Sequence, residues 1–185
     1  MKKILFHIVV ILITLCTGCS KDNDPAIISP PSAPANKPSD LWAKWQLITY
    51  TIKTDQMNYY FTGDGISSHA LRTLAFSRAG NYTANNNAWS GRYNYKTDSN
   101  NLVLIPSNAG LIPMTLTIDH FSSHQIQLSS PQVEVNPENP NASEYERFVA
   151  YQALSWLYNR NVNIAKLRTI KIQFAYSFIE RDSTN

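Results

Sequence analysis

Hydrophobic and polar positions alternate with a period of two over much of the chain beyond residue 40. Such alternation is typical of half-buried strands, because successive side chains of a strand point to opposite faces. The clearest case is the last one, in which one face carries Ile170, Ile172, Phe174, Tyr176 and Phe178. Earlier strands are predicted at 45–52, 71–77, 89–95, 102–105, 114–120 and 124–128, with a short irregular strand at 59–61.

One helix is predicted before the last strand. Ser143 and Glu146 form an S-x-x-E capping box, in which each side chain satisfies a free backbone donor of the first helical turn. Apolar side chains follow in two stripes, at positions 148, 151, 154 and 157 and at positions 149, 153 and 156. Because this apolar face is wide, we expect the helix to pack closely on the strands.

The order of elements is therefore seven or eight short antiparallel strands, with one helix late in the chain and one strand after it. Many short strands at regular spacing favour a sandwich or a closed barrel. A barrel would also remove the exposed sheet edge that residues 170–178 would otherwise present. The pattern thus predicts a mostly β domain.

Three short motifs resemble those of lipocalin-like domains. Residues 41–47, LWAKWQL, resemble the opening L-x-G-x-W-x-L strand, with Ala43 in place of the glycine. Residues 74–82, LAFSRAGNY, resemble the L-x-F-x-x-x-G-x-Y hairpin, and residues 89–95 resemble the W-x-G-x-Y return strand. The resemblance covers most of residues 41–128 and implies an antiparallel up-and-down barrel of about eight strands. Such a barrel is just wide enough for its own side chains or for one small ligand.

The N-terminus carries a different pattern. Lys2 and Lys3 precede an apolar run from Ile4 to Leu15, which is shorter than the roughly 20 residues that a membrane-spanning helix needs. A charged start and a short apolar core are typical of a removable secretory signal. Residues 15–19, LCTGC, resemble a bacterial lipobox, in which Cys19 becomes the lipidated N-terminus. The alternative is an ordinary secretory signal in which this cysteine is incidental.

The lipobox implies three segments: a lipoprotein signal peptide at 1–18, a tether at 19–40 and a barrel domain at 41–185. Residues 20–24, SKDND, resemble the export tag of surface lipoproteins in one phylum of Gram-negative bacteria; the alternative is a solvated acidic tether. Five prolines in residues 25–40 favour an extended spacer. The resemblance implies a lipid anchor in the outer membrane, with acyl chains such as palmitate on Cys19, facing the cell surface.

Composition limits the partners of the folded domain. Without Lys2 and Lys3, 14 basic side chains stand against 13 acidic ones, and no basic run follows. Nucleic-acid binding therefore has no electrostatic support. The two cysteines are Cys16 and Cys19, so the domain has neither disulfides nor thiolate ligands.

Candidate chemistry is sparse, and we expect neither a catalytic residue, a cofactor nor a metal site. His120 and His124 flank one hairpin turn beside Asp119, but a metal site needs three or four ligands, so two histidines at a loop tip is the favoured interpretation. Glu144 and Glu146 open a helix, where acidic side chains complement the helix dipole. No nucleophile elbow, zinc-protease motif or phosphate loop is present.

Aromatic residues are the more informative signal. Tyrosine and tryptophan offer apolar area with a hydrogen-bonding edge, which suits a ligand cavity or a carbohydrate platform. The candidate ligand-binding residues are Trp89, Tyr93, Tyr95, Phe174 and Tyr176; the alternative for each is an ordinary place in the barrel core.

Two functions follow from these observations. The first is a membrane-anchored lipoprotein whose barrel binds a small hydrophobic or amphipathic ligand at the cell envelope. The second is a non-enzymatic interaction protein with a solid barrel. Its loops, chiefly 54–68 and 131–140, would dock an envelope protein or glycan.

Overall fold

The fold is taken from a computed structural model, which describes residues 41–136 and 139–181. The lipobox with Cys19, the acidic segment 20–24 and the spacer 25–40 lie outside the described residues. The predictions made for those segments therefore remain predictions.

Ten strands and one α-helix make up the described chain. The strands are β1 Ala43–Thr54, β2 Asn58–Phe61, β3 Thr73–Phe76, β4 Asn81–Ala84, β5 Gly91–Lys96, β6 Asn101–Pro106, β7 Met114–Phe121, β8 Gln125–Ser129, β9 Val133–Glu134 and β10 Thr169–Arg181. The helix is α1 Glu144–Tyr158, and single 3-10 turns lie at Gly63–Ile66, Asn87–Trp89 and Ile164–Lys166.

Eight of these strands close an antiparallel barrel, in the order β1, β3, β4, β5, β6, β7, β8 and β10. Pairing of β10 with β1 closes the ring, in a register that runs from Ala43 opposite Arg181 to Thr54 opposite Ile170. The short strands β2 and β9 extend the sheet beside β1 and β10. The predicted mostly β fold, with an eight-stranded antiparallel barrel and one helix before the last strand, is confirmed.

Alternation along the strands places the core inside the barrel. On β10, Ile170, Ile172, Phe174 and Tyr176 are all buried, as their shared face predicts. On β1 the alternation changes phase, because a register shift lies between Leu47 and Thr49. Such a bulge places one extra residue on one strand and turns the following side chains to the other face.

The capping box at the start of α1 is confirmed. The Glu146 backbone N–H donates to Ser143 Oγ at 3.2 Å, and the Ser143 N–H donates to the Glu146 carboxylate at 2.7 Å. The predicted apolar face is too wide, however. The helix buries Val149, Ala153 and Leu157, whereas Tyr151 is 70% exposed. Tyr151 is two residues beyond Val149, about 200° around the helix axis, and so faces away from the barrel.

Trp89 lies in a 3-10 turn rather than in the predicted strand 89–95. The Asn86 side chain accepts a hydrogen bond from the Ala88 N–H at 3.1 Å and so caps this turn. The strand itself begins at Gly91, where a Cβ atom would come within 3 Å of the backbone at residues 105–107. The turn directs the Trp89 ring toward α1, where its centroid lies 5.8 Å from that of Phe148.

One end of the barrel, which we call the closed end, is filled by large side chains. Trp45 is 1% exposed, and its ring makes edge contacts with Phe121 and Phe178 at 5.8 Å between centroids. Its Nε1–H donates to the Leu41 carbonyl at 3.2 Å. The tryptophan side chain therefore fills this end of the barrel.

Candidate functional site

A cavity of about 510 Å³ lies at the opposite end of the barrel, beneath α1. Its walls come from β1, β2, β7 and β10, from α1, and from the segment between β2 and β3. Ring-bearing side chains dominate the lining: Tyr50, Phe61, His69, Trp89, Tyr145, Phe148, Trp156 and Phe174. We call this region the cavity end.

Trp156 of α1 is the centre of the aromatic wall. Its ring centroid lies 5.0 Å from that of Tyr50, 5.1 Å from that of Phe61 and 5.7 Å from that of His69. The Tyr50 ring in turn lies 5.4 Å from that of Phe174. These tilted and edge-on contacts are the geometries that aromatic pairs prefer. They join the helix to the barrel wall while leaving space beside the rings.

His69 brings a polar group into this aromatic wall. The Leu71 N–H donates to His69 Nδ1 at 3.1 Å, so in the neutral ring the proton lies on Nε2. Burial among the rings lowers the pKa of His69 to about 4, because the charged form loses its hydration. At neutral pH the imidazole is therefore uncharged. Within the described residues its Nε2–H finds no hydrogen-bond acceptor, which leaves one donor for a bound molecule.

Polar side chains of α1 and of the turn after it lie at the rim of the cavity. Gln152, Asn159 and Arg160 all belong to the lining. The guanidinium of Arg160 lies 4.9 Å from the centroid of the Phe61 ring, a cation–π contact. Arg160 is also the one charged side chain among the lining residues that the structure describes, and none of these is an aspartate or glutamate.

Two of the five predicted ligand-binding residues, Trp89 and Phe174, line the cavity. Tyr176 lies deeper in the barrel, where its hydroxyl donates to the Leu71 carbonyl at 2.9 Å. Tyr93 lies toward the closed end: its hydroxyl donates to the Ser77 carbonyl at 3.0 Å and accepts from Trp42 Nε1–H at 3.1 Å. Tyr95, half-buried on β5, places its hydroxyl 3.4 Å from Asn100 Oδ1. The last three are not part of the cavity lining.

Sequence reasoning missed the central members of the wall. Tyr50 and His69 lie about 100 residues from Trp156 in the chain, and His69 lies in an irregular segment without periodicity. Phe61 and Trp156 belong to the general aromatic excess, but no local pattern distinguishes them from core residues. The only local signal for the site is the capping box, because it predicts the helix that covers the cavity.

The histidines at the β7–β8 hairpin stand apart from this site. Asp119 accepts hydrogen bonds from Ser129 Oγ and Gln173 Nε2, both at 3.0 Å, so its carboxylate serves the barrel wall. His124 Nδ1 lies 2.7 Å from Ser123 Oγ. Over residues 41–136 and 139–181, no group of three or more His, Cys, Asp or Glu side chains is placed to hold a metal ion.

Comparison with protein-family models, with curated proteins and with solved structures finds no match for this chain. In the part of the chain that the structure describes, no helix has the length and apolar character needed to cross a membrane.

Proposed function

We propose that this protein is a lipoprotein of the bacterial cell surface whose lipocalin-like barrel binds a small hydrophobic or amphipathic ligand beneath α1. The observation that carries the proposal is the aromatic cavity of about 510 Å³ at one end of the barrel. Ligand sites are commonly concave, apolar and of some 300–1,000 Å³, with a few polar groups that fix orientation. The His69 donor and the rim of Gln152, Asn159 and Arg160 supply such groups. The proposed role is binding rather than catalysis.

The direct test is a titration of the full chain with the neutral fluorescent probe N-phenyl-1-naphthylamine. Gln152→Trp adds an indole to a helix position that lines the cavity, and it should weaken binding at least tenfold. Ser155→Trp adds the same group at an exposed position of α1 and should leave binding unchanged. Equal affinities for the two variants, with both folded, would contradict the cavity as the binding site. Native mass spectrometry of the purified chain would show any ligand that it retains.

Anchoring through Cys19 is the second part of the proposal, and it depends on the N-terminal sequence. Two or more acyl chains on one residue bind a bilayer stably, whereas a single chain binds marginally. Metabolic labelling with an alkyne analogue of palmitate should mark the wild type but not the Cys19→Ala variant. That variant should also be absent from the membrane fraction. If residues 20–24 act as an export tag, replacing Asp22 and Asp24 with Asn should protect the domain from protease added to intact cells.

An interaction role through the loops is the alternative, and exposed apolar side chains within and just before β2 favour it. Met57 is 56% exposed and Tyr60 is 64% exposed, and both lie in the segment 54–68 that the sequence singled out. Exposed apolar groups on one segment can belong to a docking surface. Cross-linking in intact cells should then capture a stoichiometric envelope partner that is lost in Met57→Ser/Tyr60→Ser, while probe binding in the cavity persists.

A further inference from the structure

The charge on the cavity lining is confined to one end of the cavity. Among residues 41–136 and 139–181, all of the charge on its lining belongs to Arg160, at the end of the cavity where α1 terminates. The two ion pairs found within the described residues are Lys44–Glu180 and Lys171–Asp119, so neither neutralises Arg160. A bound molecule therefore meets a positive rim and an uncharged interior.

Two neighbours orient the guanidinium of Arg160. The Phe61 ring lies 4.9 Å beneath it, and a Cβ atom on Gly65 would lie 3.5 Å from Nη2. Stacking on a ring occupies the face of the guanidinium and leaves its N–H groups free along the edge. Planar guanidinium edges match the two oxygens of a carboxylate, sulfonate or phosphate better than a point charge does.

Inside the cavity His69 offers a second donor. Its ring lies among Tyr50, Trp156 and Phe174, at 4.9, 5.7 and 5.6 Å between centroids. His69 is half-buried, so its Nε2–H borders the open space of the cavity and is available to an acceptor that a ligand carries. A ligand that combines flat apolar area with oxygen acceptors satisfies both groups.

We infer that the ligand of this cavity is an anionic amphipath, with its acidic group at Arg160 and its apolar body against Trp156 and Tyr50. The inference rests on the proposed binding function and adds its chemical class. An acidic ligand also agrees with the lack of carboxylates among the described lining residues, since like charges at the rim would repel it.

Two fluorescent probes that share one carbon skeleton separate the contribution of charge to binding affinity from that of apolar contact. 1-Anilinonaphthalene-8-sulfonate is N-phenyl-1-naphthylamine with an added sulfonate, and both report binding by fluorescence. For Arg160→Gln in the full chain we expect the dissociation constant of the anionic probe to rise about threefold to tenfold, as for a partly exposed charge-assisted contact. The neutral probe should change less than twofold. Arg160→Lys should keep part of the anion affinity, because the charge remains but the planar edge is lost.

Arg92→Gln is the matched control, because it removes the same charge from the exposed outer face of β5. It should alter neither affinity. Raising the salt concentration from 0.05 M to 0.5 M should weaken binding of the anionic probe to the wild type, since salt screens an exposed charge. Binding to Arg160→Gln should weaken much less.

The outcomes distinguish this inference from the function on which it depends. If Arg160→Gln weakens the binding of both probes equally, or of neither, the inference that the ligand is anionic is overturned while the binding function stands. If the folded wild type binds neither probe, the binding function and the inference fail together. Selective loss of the anionic probe, absent in Arg92→Gln, supports both.

Discussion

The two ends of this barrel use the same aromatic residue types for opposite results. At the closed end Trp45, Phe121 and Phe178 interlock at edge-contact distances, and the indole N–H is satisfied by the Leu41 carbonyl. At the cavity end Trp156 and its partners are as close to one another, yet they surround about 510 Å³ of space. Aromatic content alone therefore does not distinguish a core from a ligand site.

The difference lies in what supports the rings. Trp45 belongs to β1, points into the barrel, and packs against Phe121 of β7 and Phe178 of β10. Trp156 belongs to a helix that lies across the barrel mouth, so one side of its ring faces space rather than packed atoms. A ring without neighbours on one side loses those dispersion contacts but remains available to a ligand.

The largest expected effect tests this contrast in stability. Trp45→Ala should lower the free energy of unfolding by about 3–5 kcal/mol, because it removes a fully buried indole and leaves a cavity. Trp156→Ala should cost about 1–2 kcal/mol, since fewer atoms pack against its ring. Urea denaturation of both variants measures the two values.

Probe binding should show the opposite order. At temperatures where both variants are folded, Trp156→Ala should weaken the binding of N-phenyl-1-naphthylamine more than Trp45→Ala does. Equal losses of stability, or a larger effect of Trp45→Ala on binding, would mean that the two ends do not differ in the way described.

Sequence pattern predicted the fold well, because the elements depend on local signals. The alternation of β10 and the Ser143–Glu146 capping box each specify an element within a few residues. The phase of β1 could not be predicted in this way. Alternation counted from Trp45 and Leu47 places Thr49 inside, whereas the bulge turns Tyr50 inward, with 1% exposure.

The site was less predictable, because it exists only in the tertiary structure. The aromatic character of Phe174 and Trp89 predicts a binding role for both, and they reach the cavity by different routes. Phe174 does so through strand alternation, and Trp89 does so through a capped 3-10 turn that ends before β5. No local pattern brings His69 beside Trp156, since that contact depends on where α1 crosses the barrel.

A second test compares the tightness of the barrel wall with that of the cavity rim. A Cβ atom on Gly91 would overlap the Ile105 carbonyl oxygen and lie 2.8 Å from the Ser107 nitrogen, which are backbone atoms. Gly91→Ala should therefore lower the free energy of unfolding by about 2–3 kcal/mol, in the range of overpacked cores. At Gly65 the nearest atom is Arg160 Nη2 at 3.5 Å, so Gly65→Ala should change stability by less than about 0.5 kcal/mol. Thermal or urea unfolding of the pair decides this point.

The third prediction concerns pH and the cavity end alone. The pKa of His69 falls from 6.5 to about 4 on folding, so between those values the unfolded state binds more protons than the folded state. Stability should then rise with pH through this window, and linkage gives about 2 kcal/mol less at pH 5 than at pH 7.5. His69→Phe keeps an aromatic ring but cannot titrate, and it should remove most of that dependence. The closed-end variant Phe121→Leu, with His69 intact, should keep the wild-type slope. A slope unchanged in His69→Phe would show that another group is responsible.

The smallest expected effect compares two buried tyrosines of the barrel interior. Both are 1% exposed, but the Tyr176 hydroxyl donates to the Leu71 carbonyl, whereas the Tyr82 hydroxyl has no partner among the described residues. Tyr176→Phe should lower the free energy of unfolding by about 1 kcal/mol, because it leaves the buried Leu71 carbonyl without its hydrogen bond. Tyr82→Phe should be neutral or stabilise the fold by up to about 1 kcal/mol, since it removes an unpaired hydroxyl while keeping the ring. Denaturant midpoints of the two variants give the sign directly. A loss in Tyr82→Phe as large as that in Tyr176→Phe would reveal a partner for that hydroxyl, such as a buried water, and the barrel interior would then hold solvent between its two ends.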